Sequence, residues 1–195
     1  MKISEARQLY NTQIRAYREQ HTILAKQKQE LEQKMNTTPD GKSIYANEAA
    51  VLELTIEAVT KKQNEYQNYM DKLLQQWSAT ANMVSAKQQG EAMEDYVADM
   101  GKILEVARRL MKGAIVPASD ERKLMEYSME LYQTAKNMGA LAKEKEKEKY
   151  DSLWEDEEKK EYEDPVETAD NTEAFGMGPA IVDVADTMAS VEAPE

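Results

Sequence analysis

A 4-3 repeat of residues that are apolar at every position but one, Gln63, runs without a slip through residues 45–77. Its members are Tyr45, Ala49, Leu52, Ile56, Val59, Gln63, Tyr66, Met70, Leu73 and Trp77. This spacing places the side chains in one stripe along a helix, which is the sequence pattern of a coiled coil. The repeat therefore predicts a long helix that buries its stripe against another helix.

A second helix is predicted to precede this one and to pair with it. Apolar or aromatic residues stand at every seventh position from Ile3 to Leu31. The segment Pro39-Asp40-Gly41 favours a tight turn, because Pro does not fit inside a helix and Gly accepts unusual backbone angles. A short turn makes the two helices antiparallel neighbours. We therefore expect an antiparallel coiled-coil hairpin over residues 1–77, closed at its open end by Trp77 packing against Ile3.

Beyond Trp77 the apolar repeat changes phase, which divides the helical part of the chain. Residues 78–90 are rich in small side chains and are predicted to form a hinge or stutter. The repeat resumes at Met93, Val97, Met100, Leu104, Ala107 and Met111. Gly113 is expected to end the third helix, a connector at residues 114–118 follows, and Ser119 is expected to cap a fourth helix. Residues 91–150 are thus predicted to form a second helical pair that ends in a charged helical spacer.

The composition favours an elongated all-α fold with an acidic end. Only 7 Gly and 5 Pro occur among 195 residues, and β-branched or aromatic residues never alternate with polar ones over a useful length. Residues 151–195 hold 15 acidic and 2 basic residues, whereas residues 1–150 hold 22 acidic and 23 basic ones. We expect residues 151–195 to form an acidic disordered tail that the helices do not need for folding.

The charge distribution and the lack of cysteine exclude several classes of function. A near-neutral helical part with an acidic tail does not attract phosphate groups, so neither nucleic acid nor a membrane is expected as a partner. A sequence with no Cys forms neither disulfides nor thiolate metal sites. No apolar run is long enough for a signal peptide or a membrane-spanning helix, which predicts a cytoplasmic protein.

Few residues offer catalytic chemistry. His21 is the single histidine, which excludes most nucleophilic triads and the histidine-based di-iron sites of helix bundles. It stands at the second position of the 4-3 repeat in the first helix, together with Arg7, Ile14, Lys28 and Met35. A polar residue at such a position more often fixes register than senses pH. Glu53 and Glu57 are interpreted as the solvated border of the stripe, although such a pair could serve acid–base chemistry. The segment 176–179 is interpreted as a flexible part of the tail. We predict no enzyme activity, no cofactor and no metal site.

Two short segments of the tail and two methionines are candidates for binding a partner. Leu153 and Trp154 form a bulky apolar pair that either packs on the helices or is kept for a partner. A second group recurs at helical spacing, as in segments that fold into a partner's groove, and consists of Ile181, Val184, Met188 and Val191. Met125 and Met129 lie off the main stripe of the fourth helix and would widen its apolar face. A tail that only adds solubility is the alternative.

These features favour a protein that acts by binding other proteins. The leading hypothesis is a coiled-coil scaffold or adaptor whose acidic tail recruits a protein partner. Its helical part is expected to form a homo-oligomer, because long helices need packing partners to be stable. The alternative is a cargo-binding chaperone for a secretion, flagellar or phage assembly system, an analogy at the level of architecture.

Overall fold

In a computed structural model of the protein, which describes residues 1–142, 147–155 and 160–191, the chain is built from helices. They are α1 (Ile3–Thr37), α2 (Gly41–Ile44), α3 (Ala46–Met111), α4 (Ala118–Tyr127), α5 (Met129–Leu141), α6 (Pro165–Asn171) and α7 (Val184–Ala189). Extended pairing within these ranges is limited to two isolated bridges, Lys2 with Glu173 and Ile115 with Lys149. The all-α prediction is confirmed.

The chain divides into two compact units. The first comprises Met1–Val84 and Asp164–Glu195, and the second comprises Ser85–Glu163. Helix α3 supplies residues to both units, and the division falls inside the segment 78–90. That segment is helical throughout, so it is not a loop, and its role as a hinge stays a prediction.

In the first unit, α1 and the first part of α3 pack against each other in opposite directions. Lys28 Nζ lies 3.2 Å from Glu53 Oε1, whereas Tyr10, nearer the start of α1, contacts the rings of Tyr66 and Tyr69. The two helices are therefore antiparallel. The buried residues between the two helices are Ala6, Tyr10, Ile14, Tyr17, Leu24, Val59, Tyr66, Tyr69, Met70 and Leu73.

The turn after α1 depends on the backbone conformation of Asp40 and on the absence of a side chain at Gly41. Asp40 has a φ of 55°, in the left-handed region that Asp tolerates better than most residues. A Cβ on Gly41 would lie 2.5 Å from the carbonyl oxygen of Met35. Only glycine therefore lets the chain return this closely to the end of α1.

The described part of residues 151–195 does not form the disordered tail that the sequence predicted. Residues 151–155 and 160–163 belong to the second unit, and residues 164–191 fold onto the first, where they include α6 and α7. Asp164 caps α6 by accepting hydrogen bonds from the N–H groups of Val166 and Glu167, and Ala169 is fully buried. The prediction failed because the acidic composition, averaged over 45 residues, concealed local helix starts and buried apolar side chains.

Trp77 also contacts a helix that the prediction did not include. Its indole Nε1 donates a hydrogen bond to Asp170 Oδ1 at 2.8 Å, and the Arg7 guanidinium carbon lies 5.5 Å from the centre of the ring. Ile3 is fully buried, and its N–H donates to the Thr172 carbonyl oxygen at 2.9 Å. The start of α1 and the part of α3 around Trp77 are thus joined to α6 and the residue that follows it.

In the second unit, the predicted fourth helix is two helices. α4 and α5 are separated by Ser128, whose backbone is extended, with a φ of −157° and a ψ of 108°. The Ser128 hydroxyl accepts a hydrogen bond from the Leu131 N–H at 3.1 Å and so caps α5. Ser119 does not cap α4, because the N-cap position belongs to Pro117.

The core of the second unit joins the end of α3 to α4 and α5. Its buried residues are Val106, Ala107, Leu110, Val116, Leu124 and Ala135. Gly113, with a φ of 80°, lies just after α3, and its Cα would lie 3.4 Å from a Cβ on Gly139 of α5. The same Cβ would collide with the carbonyl oxygen of Leu110. This close approach of two backbones fixes how α5 packs on α3.

We expect Gly139→Ala to destabilise the protein by about 1–3 kcal/mol, the usual range for overpacking. The matched control is Gly90→Ala on α3, where an added Cβ meets no other described atom within 4 Å. There the better helix propensity of Ala should stabilise the protein by about 0.5–1 kcal/mol. Urea unfolding followed by circular dichroism measures both free energies. Equal effects of the two substitutions would contradict the packing of α5 on Leu110.

Candidate interaction sites

Four tyrosines of α1 and α3 line a groove in the first unit, the tyrosine groove. They are Tyr10, Tyr17, Tyr66 and Tyr69, and each is at most 9% exposed. Tyr10 and Tyr17 are seven residues apart, which places both on the face of α1 that meets α3. The ring centroids lie 5.7 Å apart for Tyr10 and Tyr66, 4.7 Å for Tyr10 and Tyr69, and 5.4 Å for Tyr17 and Tyr66. The tilted and edge-to-face arrangements are those that aromatic rings prefer.

Residues 178–183, the docked segment, lie along the tyrosine groove and are held mainly by their backbone. Three tyrosine hydroxyls donate to carbonyl oxygens: Tyr10 to Pro179 (2.8 Å), Tyr66 to Ala180 (3.0 Å) and Tyr17 to Val182 (3.1 Å). The Tyr66 hydroxyl also accepts a hydrogen bond from the Val182 N–H at 2.9 Å. Because every chain segment carries these backbone groups, the contacts depend little on side-chain identity.

Gly178 brings the backbone of the docked segment close to two of the tyrosine rings. A Cβ there would collide with the Tyr10 hydroxyl and would lie 2.7 Å from Cε1 of Tyr69. Both rings are packed against neighbouring rings and cannot move aside cheaply. Residues 176–179, interpreted from the sequence as a flexible element, thus include a glycine that the groove requires.

The Tyr69 hydroxyl differs from the other three. It is buried and has no hydrogen-bond partner among the described residues. A buried polar group without a partner costs roughly 1–3 kcal/mol relative to a satisfied one. The docked segment is therefore an incomplete match for the groove.

Helix α7 anchors the end of the docked segment. Val184 and Met188, one helical turn apart, pack against the core of the first unit, and the Thr187 hydroxyl lies 2.6 Å from the Tyr17 hydroxyl. Ile181 is 42% exposed, and the Val191 N–H donates to the Met188 carbonyl. Of the four residues predicted to enter a partner's groove, two enter a groove of their own chain.

Leu153 and Trp154 pack on the core of the second unit. The Trp154 indole Nε1 donates to Asp99 Oδ1 at 2.7 Å, and Lys123 Nζ lies 4.0 Å from the centre of its ring. In this arrangement the pair is used within the chain, which was one of the two alternatives that the sequence left open.

A buried aspartate holds the backbone that carries this pair. Asp120 is 1% exposed, and its carboxylate accepts hydrogen bonds from the Ser119 hydroxyl at 3.0 Å and the Ser152 hydroxyl at 2.6 Å. It also accepts one from the Leu153 N–H at 3.1 Å. Asp120 was not singled out in the sequence, because an acidic residue in the first turn of a helix normally indicates only a favourable dipole interaction.

The remaining candidates from the sequence lie at or near the surface. Met125 is half-buried on α4, and Met129 at the start of α5 is 52% exposed. His21 is half-buried on α1, and Glu53 and Glu57 are exposed on α3, where Glu53 pairs with Lys28.

An apolar face of α3 in the second unit is exposed to solvent. Met93, Val97 and Leu104 were predicted to be part of a buried stripe, but they are 64%, 61% and 52% exposed. Ala107, from the same repeat, is buried in the core. The repeat thus leaves the core along α3 and continues on the surface.

Within the described ranges, no group of three or more acidic, His or Cys side chains is arranged to hold a metal ion. The helices there are also too short or too polar to cross a membrane. No family model matches the chain, and no curated protein or solved structure matches it.

We expect Tyr66→Phe to destabilise the first unit by about 1–2 kcal/mol, because two hydrogen bonds to the docked segment are lost. Tyr69→Phe is the matched control, since it removes a hydroxyl that has no partner among the described residues. It should be neutral or slightly stabilising. Urea unfolding compares the two variants, and a Tyr69→Phe effect as large as that of Tyr66→Phe would contradict the proposed pairing.

Stability of the first unit should fall at alkaline pH. Burial raises the pKa of Tyr10, Tyr17 and Tyr69 above the usual value of 10.0. A group with a raised pKa in the folded state stabilises it fully below the unfolded pKa, and this stabilisation is lost as the pH rises through the folded pKa. Ultraviolet absorbance of tyrosinate should therefore show a late-titrating group of tyrosines. Gly178→Val, which should expel the docked segment, should move their titration toward pH 10.

Proposed function

We propose that this chain is a non-enzymatic adaptor that binds an extended segment of a partner protein in the tyrosine groove. Residues 178–188 occupy the groove when the partner is absent, and the partner displaces them. The proposal replaces the earlier hypothesis that a free acidic tail recruits the partner. A coiled-coil packing of the hairpin and a cytoplasmic location remain part of the proposal.

The buried Tyr69 hydroxyl is the observation that carries this proposal. Three neighbouring hydroxyls already bond the backbone of residues 179–182, whereas that of Tyr69 lacks a partner among the described residues. A partner segment that offers a carbonyl oxygen to Tyr69 would satisfy all four groups. It would therefore have an advantage over the chain's own segment.

The groove also continues beyond the docked segment. A cavity of about 590 Å³ lies between α1 and α3, with Leu24, Leu31, Val51 and Leu52 among its lining residues and Met188 at its wall. Apolar side chains of a longer partner segment would find space there. The preferred partner segment is thus extended, with a glycine at the crowded position, followed by a short helix with apolar residues one turn apart.

Recognition through the backbone also keeps the chaperone hypothesis as a second candidate. A groove that bonds carbonyl oxygens accepts segments of differing sequence, as a protein that protects several subunits would require. The adaptor hypothesis predicts that the affinity depends on the partner side chains that take the places of Val184 and Met188 in the groove. The chaperone hypothesis predicts that varied segments bind with similar affinity.

A synthetic peptide of residues 174–191, carrying a fluorescent label, tests the proposal directly. Gly178→Val should expel the chain's own segment, so that the peptide binds this variant and increases in fluorescence anisotropy. The wild-type chain should bind the peptide at least tenfold more weakly, because its groove is occupied. Ala180→Val is the matched control, since Ala180 is exposed and its substitution should leave the groove closed.

Circular dichroism checks that the Gly178→Val variant remains helical. If it unfolds, Met188→Asp serves as a second variant, because a charge at the wall of the apolar core should release α7. A folded, open variant that does not bind the peptide would show that the groove is not a peptide-binding site. Equal binding of a peptide with Val184 and Met188 replaced by serine would favour the chaperone.

A further inference from the structure

The exposed apolar face of α3 is a regular strip. Met93 and Met100 are seven residues apart, as are Val97 and Leu104, and together they follow the 4-3 spacing of a helix-packing stripe. Their side chains are exposed or half-exposed, while Val106 and Leu110 farther along α3 are buried in the core of the second unit. The strip is thus shaped for a helix but lacks one among the described residues of this unit.

A row of three residues borders this strip. Glu94, Gly101 and Arg108 are seven residues apart and all are exposed, so they lie in line along one side of the strip. A Cβ on Gly101 would meet no other described atom within 4 Å. Glycine in the middle of a helix is less favourable than alanine, and no packing among the described residues requires it at this position.

The charges of this part of α3 change sign at Gly101. Residues 91–99 contain four acidic and no basic residues, whereas residues 100–112 contain four basic residues and one acidic residue. The acidic residue in the second half, Glu105, bonds Arg108 through Nε and Nη2, both at 2.6 Å. This pairing leaves Nη1 of Arg108 to donate elsewhere. Asp95 in the acidic half pairs with Lys160.

We propose that this strip binds the same strip of a second copy of the chain, with the two α3 helices antiparallel and crossing at Gly101. A two-fold axis at Gly101 places Glu94 of each copy opposite Arg108 of the other, since both residues are seven positions from the axis. The acidic half of each strip then faces the basic half of its mate. Glycine at the crossing lets the two backbones approach closely.

A second copy complements the charges along the strip better than an unrelated helix would. The charge pattern is self-complementary only when reversed, which is the condition for a two-fold symmetric contact. Val97 and Leu104, at nearly equal distances on either side of Gly101, would pack near one another across the axis. The face is short compared with stable interfaces, so we expect a dimer that dissociates in the micromolar range. This site lies in the second unit and does not depend on the tyrosine groove.

Sedimentation equilibrium of the full chain tests the crossing. The wild type should show a mass near twice 22.2 kDa at tens of micromolar, and Gly101→Gln should shift it toward the monomer with at least a tenfold weaker association. Gly90→Gln is the matched control, because Gly90 is also helical with open space around it. A monomeric wild type would overturn the proposal, and so would a Gly101→Gln variant that dimerises like the wild type.

A charge exchange tests the antiparallel orientation. Glu94→Arg and Arg108→Glu should each weaken self-association, because each places like charges opposite one another. An equimolar mixture of the two variants should recover a dimer, since every pair across the axis is then of opposite charge. A mixture that stays as dissociated as its components would exclude the proposed orientation. Urea unfolding of each variant confirms that the second unit remains folded.

Discussion

Buried phenol hydroxyls are the constraint on which the first unit depends. A seam between two helices can bury the rings of Tyr10, Tyr17 and Tyr66, but it offers no acceptor for their hydroxyls, because helical backbone groups are already paired. Carbonyl oxygens of residues 179–182 supply these acceptors. The position of a segment more than 100 residues away in sequence thus follows from the chemistry of the helical seam.

In the second unit the helices supply a hydrogen-bond acceptor to a later segment of the chain, whereas in the first unit they supply donors. There a side-chain carboxylate, that of Asp120, accepts hydrogen bonds from the segment that carries Leu153 and Trp154. In both units a buried polar group on the helices bonds the backbone of a later segment, and apolar side chains then add packing. Most acidic side chains of residues 151–155 and 160–191 are exposed, and the acidic character of these residues is therefore compatible with folding.

The sequence predicted the helices well where apolar spacing was regular, because a long repeat has one structural solution. It failed after Asp164, although Asp164, Pro165 and Glu167 form a recognisable helix start with a cap, a proline at the first position and an acid in the first turn. The break at Ser128 had no comparable signal, since a single serine inside a helical pattern is usually tolerated. The exposure of Met93 and Val97 could not be predicted either, because the spacing of apolar residues identifies a stripe on a helix but not the element that packs on it.

The distance in sequence between the groove and its occupant has a consequence for synthesis. The ribosome makes Tyr69 roughly 110 residues before Gly178, which at typical elongation rates corresponds to roughly 5–20 s. During that interval residues 178–183 do not yet exist and cannot cover the tyrosine hydroxyls. A partner present at the ribosome would meet an open groove without competition from the chain's own segment. Binding during translation and binding to the finished protein would therefore differ in rate even at equal final affinity.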